Sequence, residues 1–137
     1  MKPGSEAAPA AEIVRSFLAT YEAARPDVVF PIVHGTWGED GVVQGLLEAL
    51  GIPYVGFGVA ASAVGMEKAF MKAVFGAAGL PQTAYRVVPR EDWRRPGRRD
   101  LVLARLETMP LPLFVKPSCL GSSVGVTKVK DRARLPA

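Results

Sequence analysis

Residues 28–33, Val-Val-Phe-Pro-Ile-Val, form a short apolar run that passes without a spacer into His34-Gly35-Thr36-Trp37-Gly38-Glu39-Asp40-Gly41. An uninterrupted apolar run of this length suits a parallel strand buried on both faces, and Pro31 confines it to a strand beginning or a sheet edge. The segments on either side fit that reading. Ile13, Val14, Phe17 and Tyr21 share one helical stripe, with Arg15 and Glu22 off it and Pro26 closing the segment. After the turn, Val42, Val43, Leu46 and Leu50 line one helical face and Gln44 and Glu48 the other, and Gly51 stands where a helix ends. Pro53–Phe57 then reads as a second strand. The order helix, strand, turn, helix, strand predicts an α/β fold, here part of a doubly wound layer with right-handed crossovers.

The second half predicts a different arrangement. A small, flexible connection from Gly58 to Val64 leads to a helix over Met66–Ala78, closed by Gly79. Its apolar stripe Met66, Phe70, Val74 and Ala77 is expected in the core, with Lys68 and Lys72 together on the opposite face. Thr83–Val88 reads as a strand and Asp100–Glu107 as a short helix. Two last strands, Leu113–Lys116 and Val124–Lys130, flank a loop from Pro117 to Ser123. The 14 Gly and 12 Pro among 137 residues fit many turns and short elements and exclude a coiled coil.

Composition narrows the functional classes. A single cysteine, Cys119, excludes an internal disulfide and suits a reducing, cytoplasmic setting; without a Cys/His cluster no zinc site is expected. No run of about 18 apolar residues offers a membrane span. Met1–Glu12 is Ala/Pro/Gly-rich with Glu6 and Glu12, which predicts a flexible tail rather than a signal peptide. The net charge of +4 is unevenly distributed: five Lys/Arg face eight Asp/Glu through residue 85, and twelve face five thereafter. The stretch Arg90–Arg99 is interleaved with Glu91 and Asp92, broken by Pro96-Gly97, and has one stacking ring, Trp93. This favours a solvated loop over an anion or nucleic-acid patch.

Two segments carry chemistry. The His34–Gly41 turn lies where a strand's carboxyl end meets a helix amino terminus, the crevice in which open α/β sheets bind ligands. Its glycines permit close backbone approach, while His34, Glu39 and Asp40 add titratable groups. A plain turn with Asp40 capping the helix stands equally open. In the second segment, Lys116 leaves an apolar strand beside the Ser/Gly loop 118–125. An ammonium there, with loop N–H groups and hydroxyls, can hold a nucleotide phosphate, although the G-x-x-x-x-G-K-[ST] spacing is absent. A hairpin connection is the alternative for the loop taken alone. Lys68 gains interest only together with Lys116. Cys119 reads as loop filler, and Trp37 as a packing residue.

Taken together, HGTWGEDGVVQG (His34–Gly45), GVAASAVGMEKAFMK (Gly58–Lys72) and LFVKPSCLGSSVGVTKV (Leu113–Val129) resemble the D-alanine:D-alanine ligases of the ATP-grasp superfamily. The resemblance runs from about Asp27 to Lys130. It implies residues 1–65 as a partial N-terminal (pre-ATP-grasp) α/β domain, and 66–137 as the start of an α+β ATP-grasp domain. It also implies an enzyme in which ATP phosphorylates one D-alanine carboxylate and the amine of a second attacks the acyl phosphate, giving the dipeptide for peptidoglycan. Lys68 and Lys116 would hold ATP phosphates with Gly121, Ser122 and Ser123. Ser122 would also support the substrate-side network. His34 would line the first D-alanine site, with Gly38, Glu39 and Asp40 shaping its floor.

The resemblance further implies magnesium and a homodimer for the full-length family member. The family's magnesium ligands, its arginine for the tetrahedral intermediate and its opening glutamate-bearing turn find no match in this sequence. A truncated member is therefore expected, inactive or nearly so alone. Another ATP-grasp carboxylate ligase, such as a D-alanine:D-lactate ligase, or an inactive fragment with residual nucleotide binding, are the alternatives.

Overall fold

A computed structural model describes residues 10–135. It is mostly helical: α1 (Ala10–Ala24), α2 (Val42–Ala49), α3 (Val59–Met66), α4 (Lys68–Ala77), α5 (Arg90–Arg94) and α6 (Pro96–Glu107). A two-stranded antiparallel pair follows, β1 (Leu113–Val115) and β2 (Thr127–Val129), then a 3₁₀ turn at Arg132–Arg134. The register sets Leu113 opposite Val129 and Val115 opposite Thr127.

The helices expected from apolar spacing form, except that the one expected over Met66–Ala78 starts only at Lys68: Met66 ends α3, and extended Glu67 breaks the two helices apart. α2 ends in a Schellman motif: Ile52 N–H donates to Leu47 O (2.9 Å) and Gly51 N–H to Glu48 O (3.1 Å), with Gly51 at φ 66°. Leu47 and Ile52, the apolar pair that accompanies this motif, are 0% and 3% exposed and form the best-buried contact region. α4 closes the same way, through Leu80 N–H to Phe75 O and Gly79 N–H to Gly76 O, with Gly79 at φ 71°.

The expected α/β layer is reduced to one parallel bridge, Val29 with Tyr54, held by Val29 N–H to Pro53 O (2.8 Å) and Val55 N–H to Val29 O (2.9 Å). The expected strands over 28–33 and 53–57 go no further, and Thr83–Val88 has no regular structure. A strand exists only by virtue of its neighbours, and two short parallel segments do not sustain a ladder. β1 and β2 are likewise shorter than the expected Leu113–Lys116 and Val124–Lys130.

Other expectations are corrected by helices. The supposedly flexible 58–64 segment is mostly α3, since its Ala-rich run has high helix propensity despite lacking an amphipathic pattern. The arginine-rich stretch is not a loop but the α5–α6 pair, in which Pro96 occupies the first turn of α6, Arg98 pairs with Asp92 at 2.6 Å, and Arg99 lies 4.7 Å from the Trp93 ring centroid. Ala10–Glu12, assigned above to the tail, are helical; residues 1–9 of that tail lie outside the described residues.

Two expected stripes are also displaced. In α2 the buried face carries Gln44 and Leu47, while Val42 and Leu50 are exposed, because the helix packs on the turn before it. In α4, Phe70 is 64% exposed and Val74 also faces solvent, so that stripe is not core.

Candidate functional site

The first turn is organised by its own acids. Glu39 Oε2 accepts from Gly35 N–H at 2.6 Å; Asp40 Oδ2 accepts from Trp37 N–H at 2.8 Å and its Oδ1 from Val42 N–H at 3.2 Å. Asp40 thereby satisfies an otherwise open N–H at the start of α2, whose N-cap Gly41 has no side chain to do so. From below, buried Gln44 donates Nε2 to Gly38 O at 3.0 Å.

Two glycines are sterically required. A Cβ on Gly38 would overlap the Val33 carbonyl, and one on Gly41, at φ 96°, would lie 2.8 Å from Val59 O. Trp37 is left-handed at φ 77° and half-buried. This is a strained conformation for a bulky residue, of the kind that gathers at ligand sites. His34 is exposed and makes no hydrogen bond among the described residues.

The second segment is the connection between β1 and β2, so the hairpin alternative holds for its topology. Within it Val124 N–H returns to Gly121 O (3.0 Å) and Val126 N–H to Ser123 O (3.2 Å). The central residues of the first turn, Ser122 and Ser123, have φ of 50° and 59°. Primed hairpin turns with two positive φ values favour Asn-Gly; here two serines occupy them, leaving strained backbone and exposed hydroxyls. Lys116 is exposed and free of hydrogen bonds and ion pairs among the described residues. Phe114 and Val115 beside it are exposed too, so burial in an apolar strand is not what calls for an anion at Lys116.

The two segments meet. A Cβ on Gly121 would stand 3.8 Å from Glu39 Oε2, so the carboxylate that braces the first turn borders the second. Lys68 and Lys72 diverge instead of acting together: Lys72 Nζ lies 5.2 Å from the Tyr85 ring centroid, and Lys68 Nζ reaches the loop carbonyls of Leu120 and Ser118. Glu67 separates α3 from α4 and caps α4, accepting from Ala69 and Phe70 N–H. Sequence reasoning missed Gln44 and Glu67. Gln44 was placed on a polar outer face, whereas an acid immediately before an apolar helix was a legible cap signal for Glu67.

Among the described residues no group of three or more His, Cys, Asp or Glu is placed to hold a metal ion. No helix among them is long and apolar enough to cross a membrane.

Two family models match the chain: "D-ala D-ala ligase N-terminus" over residues 4–57 and "D-ala D-ala ligase C-terminus" over residues 74–137. A D-alanine–D-alanine ligase of Mycobacterium sp. (strain KMS) is 53% identical over 114 residues, which is 83% of this chain and 29% of that protein. Among solved structures, D-alanyl-alanine synthetase A from Vibrio cholerae aligns with TM-score 0.71 at 34% identity, covering 80% of this chain and 32% of its own. The D-alanine-D-alanine ligase from Coxiella burnetii aligns with TM-score 0.62 at 47% identity, covering 78% and 31%. The chain thus spans under a third of the length of the curated relatives it matches.

Proposed function

The chain belongs to the D-alanine–D-alanine ligase family, and from that premise we propose that it carries the phosphate loop and the first-substrate turn of an ATP-dependent ligase joining two D-alanines for peptidoglycan. The observation that carries this reading is the approach of Glu39 to Gly121, which brings the two chemistry-bearing segments to one place from sequence positions about eighty apart.

The division of labour follows from the groups present. Lys116 fits a phosphate because its ammonium is exposed and uncommitted, and the Gly121–Ser123 turn beside it offers hydroxyls and N–H groups on a preset backbone. ATP bound there supplies the phosphoryl group that activates a carboxylate, and positioning with charge neutralisation is the protein's share of such a transfer. His34 and the backbone of Gly38–Asp40 face the first D-alanine. Glu39 and Asp40 act there by holding the turn, since their carboxylates are spent on backbone N–H groups. Ser122 serves both sides. Magnesium use belongs to the family, but the described residues offer no donor set for it, so every role assigned here falls to the chain's own groups.

The domain division, a partial α/β domain over 1–65 and the start of an ATP-grasp domain over 66–137, is supported by two family models that match on either side of that boundary. Residence in the cytoplasm, a homodimer in the complete family member and absence of nucleic-acid binding belong to the same reading.

Calorimetric titration with ATP tests it. Lys116→Ala is expected to weaken binding at least about ten-fold, the loss of one charge-assisted contact. Equal affinity in both proteins removes Lys116 from the site.

A further inference from the structure

We propose that the cavity between residues 85–88 and α6 is a binding site for an amphiphilic anion, a carboxylate or sulfonate carried on an apolar body. The cavity is half-open and holds about 370 Å³, within the range of roughly 300–1,000 Å³ of small-ligand sites. Val87, Val88, Val102 and Leu106 supply its apolar lining, and Tyr85, Arg86 and Arg105 the rest. No acid lines it, so the charge around it is of one sign.

The arrangement follows from helical spacing. Val102, the buried residue of α6, stands three residues before Arg105 and four before Leu106, so all three share one face. That face is an apolar floor with a guanidinium at its border. Across the cavity Thr83–Val88 has no regular structure, and Val87 and Val88 remain exposed.

Charge selects the occupant. The exposed Arg105 side chain has no hydrogen bond or ion pair among the described residues, which leaves its whole donor fork beside the apolar floor. Arg86 spends one N–H on Tyr85 O at 3.0 Å and keeps the others. Lys72 Nζ, 5.2 Å from the Tyr85 ring centroid, adds a third cation next to the lining. A guanidinium fork matches a carboxylate or sulfonate, and the adjoining floor favours one that brings hydrocarbon to bury. An inorganic anion leaves that floor wet, and a neutral apolar molecule leaves the arginines unpaired. Arg86 and Arg105 belong to the basic excess after residue 85 that neither chemistry-bearing segment uses. The site shares no residue with those segments and does not rest on the ligase reading.

The test titrates the 137-residue chain by fluorescence with anilinonaphthalene sulfonate and with phenylnaphthylamine, which has the same rings without the sulfonate. Arg105→Gln is expected to weaken the sulfonate at least about ten-fold, the loss of one charge-assisted contact, and to leave the neutral dye within about two-fold. Arg98→Gln, on the same helix but outside the cavity, controls for net charge and is expected to leave both dyes within about two-fold. Absence of sulfonate binding, equal sulfonate affinity in Arg105→Gln, or the same loss in Arg98→Gln overturns the proposal. So does an equal loss of the neutral dye in Arg105→Gln.

Discussion

The two turns that meet at Glu39 and Gly121 are held in opposite ways. From Gly35 to Val42 every side-chain tie comes from within six residues: Glu39 to Gly35, Asp40 to Trp37 and Val42, Gln44 to Gly38. The Ser/Gly loop has its own two turn bonds, but its leading segment is anchored to Lys68, some fifty residues away. The first turn is therefore a local object, specified by spacing. The second takes its place from another element.

The comparison can be broken most sharply at Gly38. In Gly38→Ala the added methyl overlaps the Val33 carbonyl, which has no flexible side chain to yield, and a loss of about 3 kcal/mol is expected in urea unfolding. Its internal control is Gly45→Ala, whose Cβ meets only Val59 Cγ2 at 3.8 Å and which should stabilise α2 by up to about 1 kcal/mol. Asp40→Ala comes next, with about 1–2 kcal/mol lost as Trp37 and Val42 N–H groups lose their acceptor. Were the first turn held from elsewhere, this loss would be negligible.

In the second turn the sign reverses. Ser123→Gly relieves a left-handed serine and is expected to add about 1 kcal/mol of stability while weakening ATP in calorimetry. A gain in both quantities would show that the hydroxyl has no part in the site. The smallest effect lies outside both turns. Tyr54 donates to Glu48 Oε1 at 2.7 Å, and this hydrogen bond, followed by burial and the neighbouring charge, raises its hydroxyl above the ordinary tyrosine value of about 10. A raised folded value means the contribution is complete below the unfolded value and lost as pH climbs through the folded one. Absorbance titration should show this, and Glu48→Ala, which removes the hydrogen bond and the charge, should bring Tyr54 down toward the ordinary value.

What could be read in the sequence follows the same local-versus-distant division. α1, α2, α4 and the glycine stops at Gly51 and Gly79 depend on contacts within a few residues, and all were legible from apolar spacing and Gly placement. Short runs at 28–33, 53–57 and 83–88 suit strands by pattern, but pairing is decided by neighbours that a sequence pattern does not display; among the described residues one bridge at Val29 and Tyr54 is the outcome. α3 escaped notice because Ala60, Ala61 and Ala63 carry helix propensity without amphipathicity. At the site, motif positions are legible in the chain, whereas the Glu39–Gly121 approach and the Lys68 contacts join residues about eighty and fifty apart, which only the folded chain brings together.

The bridge between Val29 and Tyr54, the one parallel pairing among the described residues, has a colloidal consequence. Around it Phe30, Ile32 and Phe57 are 66, 72 and 78% exposed, beside backbone N–H and C=O groups that no ladder occupies. Such an edge is both sticky and able to template pairing with an identical edge. The second virial coefficient of this chain in dilute buffer should therefore be negative.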